Sequence, residues 1–118
     1  MYKLKVLLLL FLATLLFYIP ILINPSILLE RGNDLQEYYW PIFYYIKEHL
    51  LQDHTLPLWN NMFFSGTPLL PDPQSFLFYL PNVIFLILPI DQAFVTSFVM
   101  HTFFAGLGSY IFAKSGLG

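Results

Sequence analysis

The stretch VLLLLFLATLLFYIPILI, residues 6–23, decides what kind of molecule this chain is. Only Thr14 in it is clearly polar, and the apolar character carries on past Asn24, Pro25 and Ser26 to Leu29. At about 1.5 Å of rise per helical residue, such a run crosses a hydrocarbon core of about 30 Å. A cleaved signal peptide is the rival reading, because Lys3 and Lys5 precede the run. The run outlasts a usual signal core of roughly 7–15 residues, and no small-x-small cleavage site follows it. An uncleaved membrane helix over about residues 6–28 is therefore expected. A second run, AFVTSFVMHTFFAGLGSYIFA at residues 93–113, is closed by Lys114 and predicts a second crossing. Its Ala105, Gly106, Gly108 and Ser109 would let a neighbouring helix approach closely.

Composition points the same way. Of 118 residues, 58% are hydrophobic, 19% aromatic and only 10% charged, against about 25% charged in an average globular chain. Twelve formal charges cannot cover a compact body with polar surface, so lipid must solvate much of it. A net charge of −2 leaves no basic footprint for nucleic acid. The absence of cysteine removes disulfides, thiolate metal sites and a Cys nucleophile.

Charge is also sorted along the chain. All seven acids (Glu30, Asp34, Glu37, Glu48, Asp53, Asp72, Asp91) fall within residues 30–91, with only Arg31 and Lys47 against them. The flanks carry Lys3, Lys5 and Lys114 and no acid. Under the positive-inside rule both ends lie in the cytoplasm and residues 30–91 face outward. The expected fold is all-α and integral to the membrane, with two spans joined by an outer segment that carries amphipathic interfacial helices.

Within that outer segment Leu35, Tyr39, Ile42, Ile46 and Leu50 recur at helical steps, and Tyr38, Trp40, Phe43, Tyr44 and Tyr45 suit the headgroup level. A helix lying on the membrane surface is expected, its regular part starting near Pro41, which cannot donate a backbone bond. Residues 55–75 are dense in turn formers (Pro57, Gly66, Pro68, Pro71, Pro73) and predict a compact irregular loop. Residues 76–90 are apolar but interrupted by Pro81, Asn82 and Pro89. They suit a second membrane-lying helix or a re-entrant piece packed on protein.

Two acids could carry chemistry. Asp34 follows Gly32 and Asn33 directly after the first run; taken alone it reads as a helix N-cap in a capping box with Glu37. Asp72 stands between Pro71 and Pro73 and taken alone reads as a turn aspartate. Two carboxylates facing one cavity at lipid level could instead share base and metal duties. His101 falls in mid-span, where it is either functional or a neutral imidazole bonded to a neighbouring helix. Glu37, His49 and His54 need no explanation beyond an exposed helix surface.

A resemblance covers nearly the whole chain. Gly32-Asn-Asp34 with Tyr39-Trp-Pro-Ile-Phe43, Leu56-Pro-Leu-Trp-Asn60, Ser65-Gly-Thr-Pro68, Asp72-Pro-Gln74, Phe78-Tyr-Leu-Pro-Asn82 and Ala105-Gly-Leu-Gly-Ser-Tyr110 resemble the amino-terminal part of YfhO-like bacterial membrane proteins, of the GT-C glycosyltransferase superfamily. The resemblance implies transfer of a sugar from a polyprenyl-phosphate donor to an acceptor on the outer side. Asp34 matches the catalytic base of the first outer loop. Asp72 matches a second acidic position that in some members helps bind the donor phosphate or a divalent cation. It also implies ten or more spans, so the chain is expected to be an amino-terminal fragment, inactive without the further helices that complete the donor cavity. The partners implied are membrane lipid, the lipid-linked donor and those remaining helices. The alternative is a complete small two-span protein that docks on a partner as an interaction or assembly subunit without enzymatic activity.

Overall fold

Two apolar helices, α1 (Tyr2–Phe17) and α5 (Ile90–Gly116), run side by side in the computed structural model, which describes residues 2–30, 32–75 and 77–116. Leu10 faces Gly106, the Phe11 and Phe103 rings meet edge to face at 5.8 Å, and the Tyr18 and Thr102 hydroxyls are 2.8 Å apart. Positions rising along α1 meet positions falling along α5, so the pair is antiparallel. Buried Thr14 is accommodated in this apolar contact because its hydroxyl donates to the Leu10 carbonyl one turn back, 2.8 Å away. The close approach expected at the small residues is relaxed: a methyl group on Gly106 would sit 3.6 Å from Leu10, and one on Gly108 would meet nothing within 4 Å.

The first apolar run does not form the single helix expected over 6–28. Helix α1 stops at Phe17, a separate turn α2 spans Ile19–Ile23, and a 3₁₀ turn spans Pro25–Leu29. Two prolines explain the breaks. Pro20 has no N–H for the Leu16 carbonyl, and Pro25 pushes Asn24 into an extended conformation (φ −134°, ψ 88°). The second run is longer than expected, beginning at Ile90 rather than 93. Its 27 residues rise about 40 Å. Among the described residues α5 is the one helix long and apolar enough, by length and composition, to cross a membrane.

The segment between the two apolar runs is organised around α3 (Trp40–Leu51). Residues Leu35–Tyr39 lead into it as a π-helical turn, in which the Trp40 N–H reaches back to the Leu35 carbonyl. This wider turn lets the chain enter α3 in front of Pro41, whose ring would otherwise crowd the preceding turn. Helix α3 is buried on two faces by protein, rather than on one by lipid as its stripe suggested. On one face Phe43 stacks on Phe85 at 3.9 Å between centroids, and both meet Phe94 edge to face, with Ile90 and Ala93 completing the cluster. On the other, Ile42 and Ile46 pack on Leu69. Polar ties fix the docking: the Trp40 indole donates to Asp91 (2.7 Å), and Lys47 donates to the Leu88 carbonyl (2.7 Å) at the end of α4 (Ile84–Ile87).

Residues 55–75 form the compact loop expected, with one addition. A short antiparallel ladder joins β1 (Trp59–Asn60) to β2 (Thr67–Pro68), pairing Trp59 with Pro68 and Asn60 with Thr67. Of the two readings for residues 76–90, the membrane-lying helix is reduced to a 3₁₀ turn, Leu80–Val83, and the single turn of α4, while the packing on protein that the other implies is present. Pro81 and Pro89 bracket this strap too tightly for a longer helix. It packs Phe85 inward on α3 and α5.

Candidate functional site

Asp34 stands at the head of the helix, but its neighbour does the capping. Asn33 Oδ1 accepts from the Gln36 N–H (3.0 Å), its carbonyl accepts from Gln36 and Glu37 N–H (3.0 and 2.9 Å), and its side-chain amide donates to the Leu28 carbonyl (2.8 Å). Gln36 returns the bond, its Oε1 accepting from the Gly32 N–H at 3.0 Å. The side-chain cap is therefore Asn33, one residue earlier than the Asp34–Glu37 pair expected, and Gln36 reaches past it to the Gly32 N–H rather than closing a reciprocal box. Among the described residues the Asp34 side chain makes no capping hydrogen bond, and it is exposed to solvent. Gly32 sits at φ +57°, and Glu37 folds against it: a Cβ there would lie 2.8 Å from the Glu37 carboxylate.

Asp72 is built into a turn. Its Oδ1 accepts from the Gln74 N–H (2.8 Å), and its carbonyl accepts from the Ser75 N–H (3.1 Å) and hydroxyl (2.8 Å), which closes the 3₁₀ turn Pro73–Ser75. Its Oδ2 accepts from the Tyr38 hydroxyl at 3.1 Å. Tyr38 lies one turn beyond Asp34, so the two aspartates are linked through the helix that Asp34 opens. Burial pushes the Tyr38 phenol above its ordinary value of 10.0, and the hydrogen bond to the Asp72 carboxylate pushes it the same way. Sequence reasoning missed Tyr38; its place one helical turn after Asp34 was the available signal.

The sequence reads Asp34 and Asp72 as carboxylates that could face one cavity. A cavity of about 490 Å³ does lie between α3, the strap and α5, lined by Leu35, Phe43, Phe94 and Phe98 with Tyr79 and His101 at its polar side, but neither aspartate lines it. There His101 Nδ1 lies 2.7 Å from the Ser97 carbonyl and its Nε2 2.6 Å from the Tyr79 hydroxyl. A neutral ring satisfies both contacts, Nδ1–H donating to Ser97 and Tyr79 O–H donating to Nε2. The partner is the strap rather than another long helix, which no pattern in the sequence announced. His49 stays local, its Nδ1 3.0 Å from the Tyr45 carbonyl and its Nε2 4.0 Å from Asp53, and His54 is an exposed residue at φ 53°.

The arrangement does not fit a resident cation. Among the described residues no group of three His, Asp or Glu side chains could hold a metal ion. Both Asp72 oxygens already face hydrogen-bond donors, and without a bridging cation a carboxylate repels a donor phosphate. Asp72 thus ties the 72–75 turn to Tyr38, while the Asp34 side chain makes no capping bond.

No family model, no curated protein and no solved structure matches this chain.

Proposed function

We propose that residues 1–118 form the membrane-embedded amino-terminal part of a glycosyltransferase of the kind the YfhO-like motifs suggest. The reading rests on the sequence resemblance and on one structural observation. Asp34, the residue matched to the base, is exposed at the head of the helical segment that leads into α3, while Asn33 has taken over the cap. In this reading Asp34 accepts the proton of the acceptor hydroxyl as that oxygen attacks the anomeric carbon of the sugar. The bond from that carbon to the polyprenyl phosphate breaks and the lipid phosphate leaves. Tyr38 and Asp72 hold the 72–75 turn against the helix that presents the base. The small-assembly-protein alternative offers no reason for an uncapped carboxylate beside a competent cap.

The test uses the full protein carrying this chain, reconstituted in lipid with a polyprenyl-phosphate-linked sugar. Asp34→Asn, which keeps the side-chain shape, is expected to lower transfer by about 10²-fold or more while insertion and protein level stay unchanged. An unaltered rate removes Asp34 as the base. Failure of the unsubstituted protein to transfer any such sugar favours the assembly alternative.

A further inference from the structure

Residues 55–71 contain no Asp, Glu, Lys, Arg or His, a charge-free stretch bounded by His54 and Asp72. The hairpin built from it packs Phe63 inward but turns other large apolar side chains outward: Phe64 is 84% exposed, Leu58 56%, and Trp59 and Met62 50% each. The tip is a tight turn. Phe64 and Ser65 are held at φ 53° and 62°, a conformation that side-chain-bearing residues rarely adopt, and Gly66 follows at φ 109°. A Cβ on Gly66 would come within 2.6 Å of the Trp59 indole nitrogen, so the indole lies directly over the turn. The hairpin is in turn fastened to α3, through the Tyr45 hydroxyl bonded to the Trp59 carbonyl (2.9 Å) and through Leu69 packed on Ile42 and Ile46.

We infer that this tip, led by Phe64 with Met62 and Trp59 beside it, inserts into the headgroup and upper acyl region of the lipid bilayer. Three observations favour lipid over a protein partner. First, the tip meets much of its backbone demand internally: the Gly66 N–H donates to the Phe63 carbonyl (2.8 Å), the Met62 N–H to Asn60 Oδ1 (2.8 Å) and the Leu69 N–H to the Leu58 carbonyl (2.9 Å). Lipid demands this, because it offers the chain no hydrogen bonds. Second, the ladder is only two residues long, with Pro68 in one strand, and so offers a partner strand very little edge on which to build. Third, the hairpin sits on α3, and α3 packs on the Asp91 end of α5, the end of the span at which a headgroup layer would lie. An indole beside exposed apolar side chains and no formal charge suits that layer. The inference depends on the membrane association of α5 and not on the sugar-transfer reading.

The chain has no cysteine, so a single thiol can report from the tip. Phe64→Cys, and separately Met62→Cys, would carry a nitroxide in the protein reconstituted into phosphatidylcholine bilayers. Collisions with oxygen, which concentrates in lipid, are compared with collisions with a water-soluble nickel chelate. At both tip positions oxygen is expected to relax the label several-fold more than the chelate, with the order reversed at an Asp53→Cys control. Relaxation dominated by the chelate at the tip would place it in water and overturn the inference. Little relaxation by either agent would mean that protein covers the tip, and would overturn it equally.

Discussion

At Asn33 and Asp34 two adjacent residues of similar shape divide two tasks, and stability measurements can separate them. Asn33 accepts the Gln36 N–H and bridges back to the Leu28 carbonyl, so Asn33→Ala is expected to cost about 1 kcal/mol, the usual value of a cap. Asp34→Ala should stay within about 0.5 kcal/mol, as for an exposed residue outside such a network. Denaturant titration in detergent micelles would show the order, and a reversed order would return the cap to Asp34. The Tyr38–Asp72 bond carries a pH signature. A phenol raised above 10.0 in the folded chain favours its protonated form there. Its contribution is therefore complete below about pH 10 and lost as pH rises through the elevated value. Asp72→Asn removes the carboxylate's share and leaves that of burial, so the Tyr38 titration should move part of the way back toward 10.0. Phenolate absorbance, with Tyr38→Phe subtracted to isolate this ring, would reveal the shift; an unmoved titration would show that the bond is absent in solution.

Among the elements, α3 and the first apolar run show which sequence signals suffice. The periodic apolar positions announced a helix near residues 35–50, and Pro41 marked its irregular entry, both correctly. That stripe could not show that Phe43 and Ile42, adjacent in sequence, are buried in two different clusters, because periodicity says which positions avoid water and not what covers them. The run over residues 6–28 failed differently: a hydropathy reading passes over Pro20 and Pro25, which carry no polar side chain but remove backbone donors. Replacing one should repair the helix. In Pro20→Leu an N–H becomes available for the Leu16 carbonyl, and α1 and α2 should fuse into one helix over residues 2–23. Rising helical circular dichroism and slower amide exchange at residues 18–22 would report the fusion. Exchange left as fast as before would mean that something other than Pro20 breaks the run. Within α3 the packing prediction is plainer. Phe43, 6% exposed and in ring contact with Phe85 and Phe94, should cost about 3–5 kcal/mol as Phe43→Ala, and amide exchange across α4 and the start of α5 should accelerate with it.

For the whole molecule, the sorting of charge is the feature most legible in the sequence, and the antiparallel α1–α5 pair gives it a physical partner. Leu7 and Lys114 line one cleft between the two helices, so the start of α1 and the Lys114 turn of α5 lie at the same end of the pair. Asp91, tied to Trp40, stands in the first turn at the other end of α5. A helix of about 40 Å outlasts a hydrocarbon core of about 30 Å, which lets both Asp91 and Lys114 reach polar surroundings. If α5 crosses the bilayer, the acidic outer segment and the Lys114 end must lie on opposite sides, with the Lys114 end in the cytoplasm by the positive-inside rule. The cysteine-free background makes this directly measurable. In cells whose outer face alone meets a membrane-impermeant maleimide, Asp53→Cys should label and Ser115→Cys should label only after the membrane is opened. Both positions are exposed in the structure, so neither thiol is shielded by the fold. Equal labelling of the two in intact cells would mean that α5 lies along the membrane rather than across it, and the basic ends would then owe their shared position to packing alone.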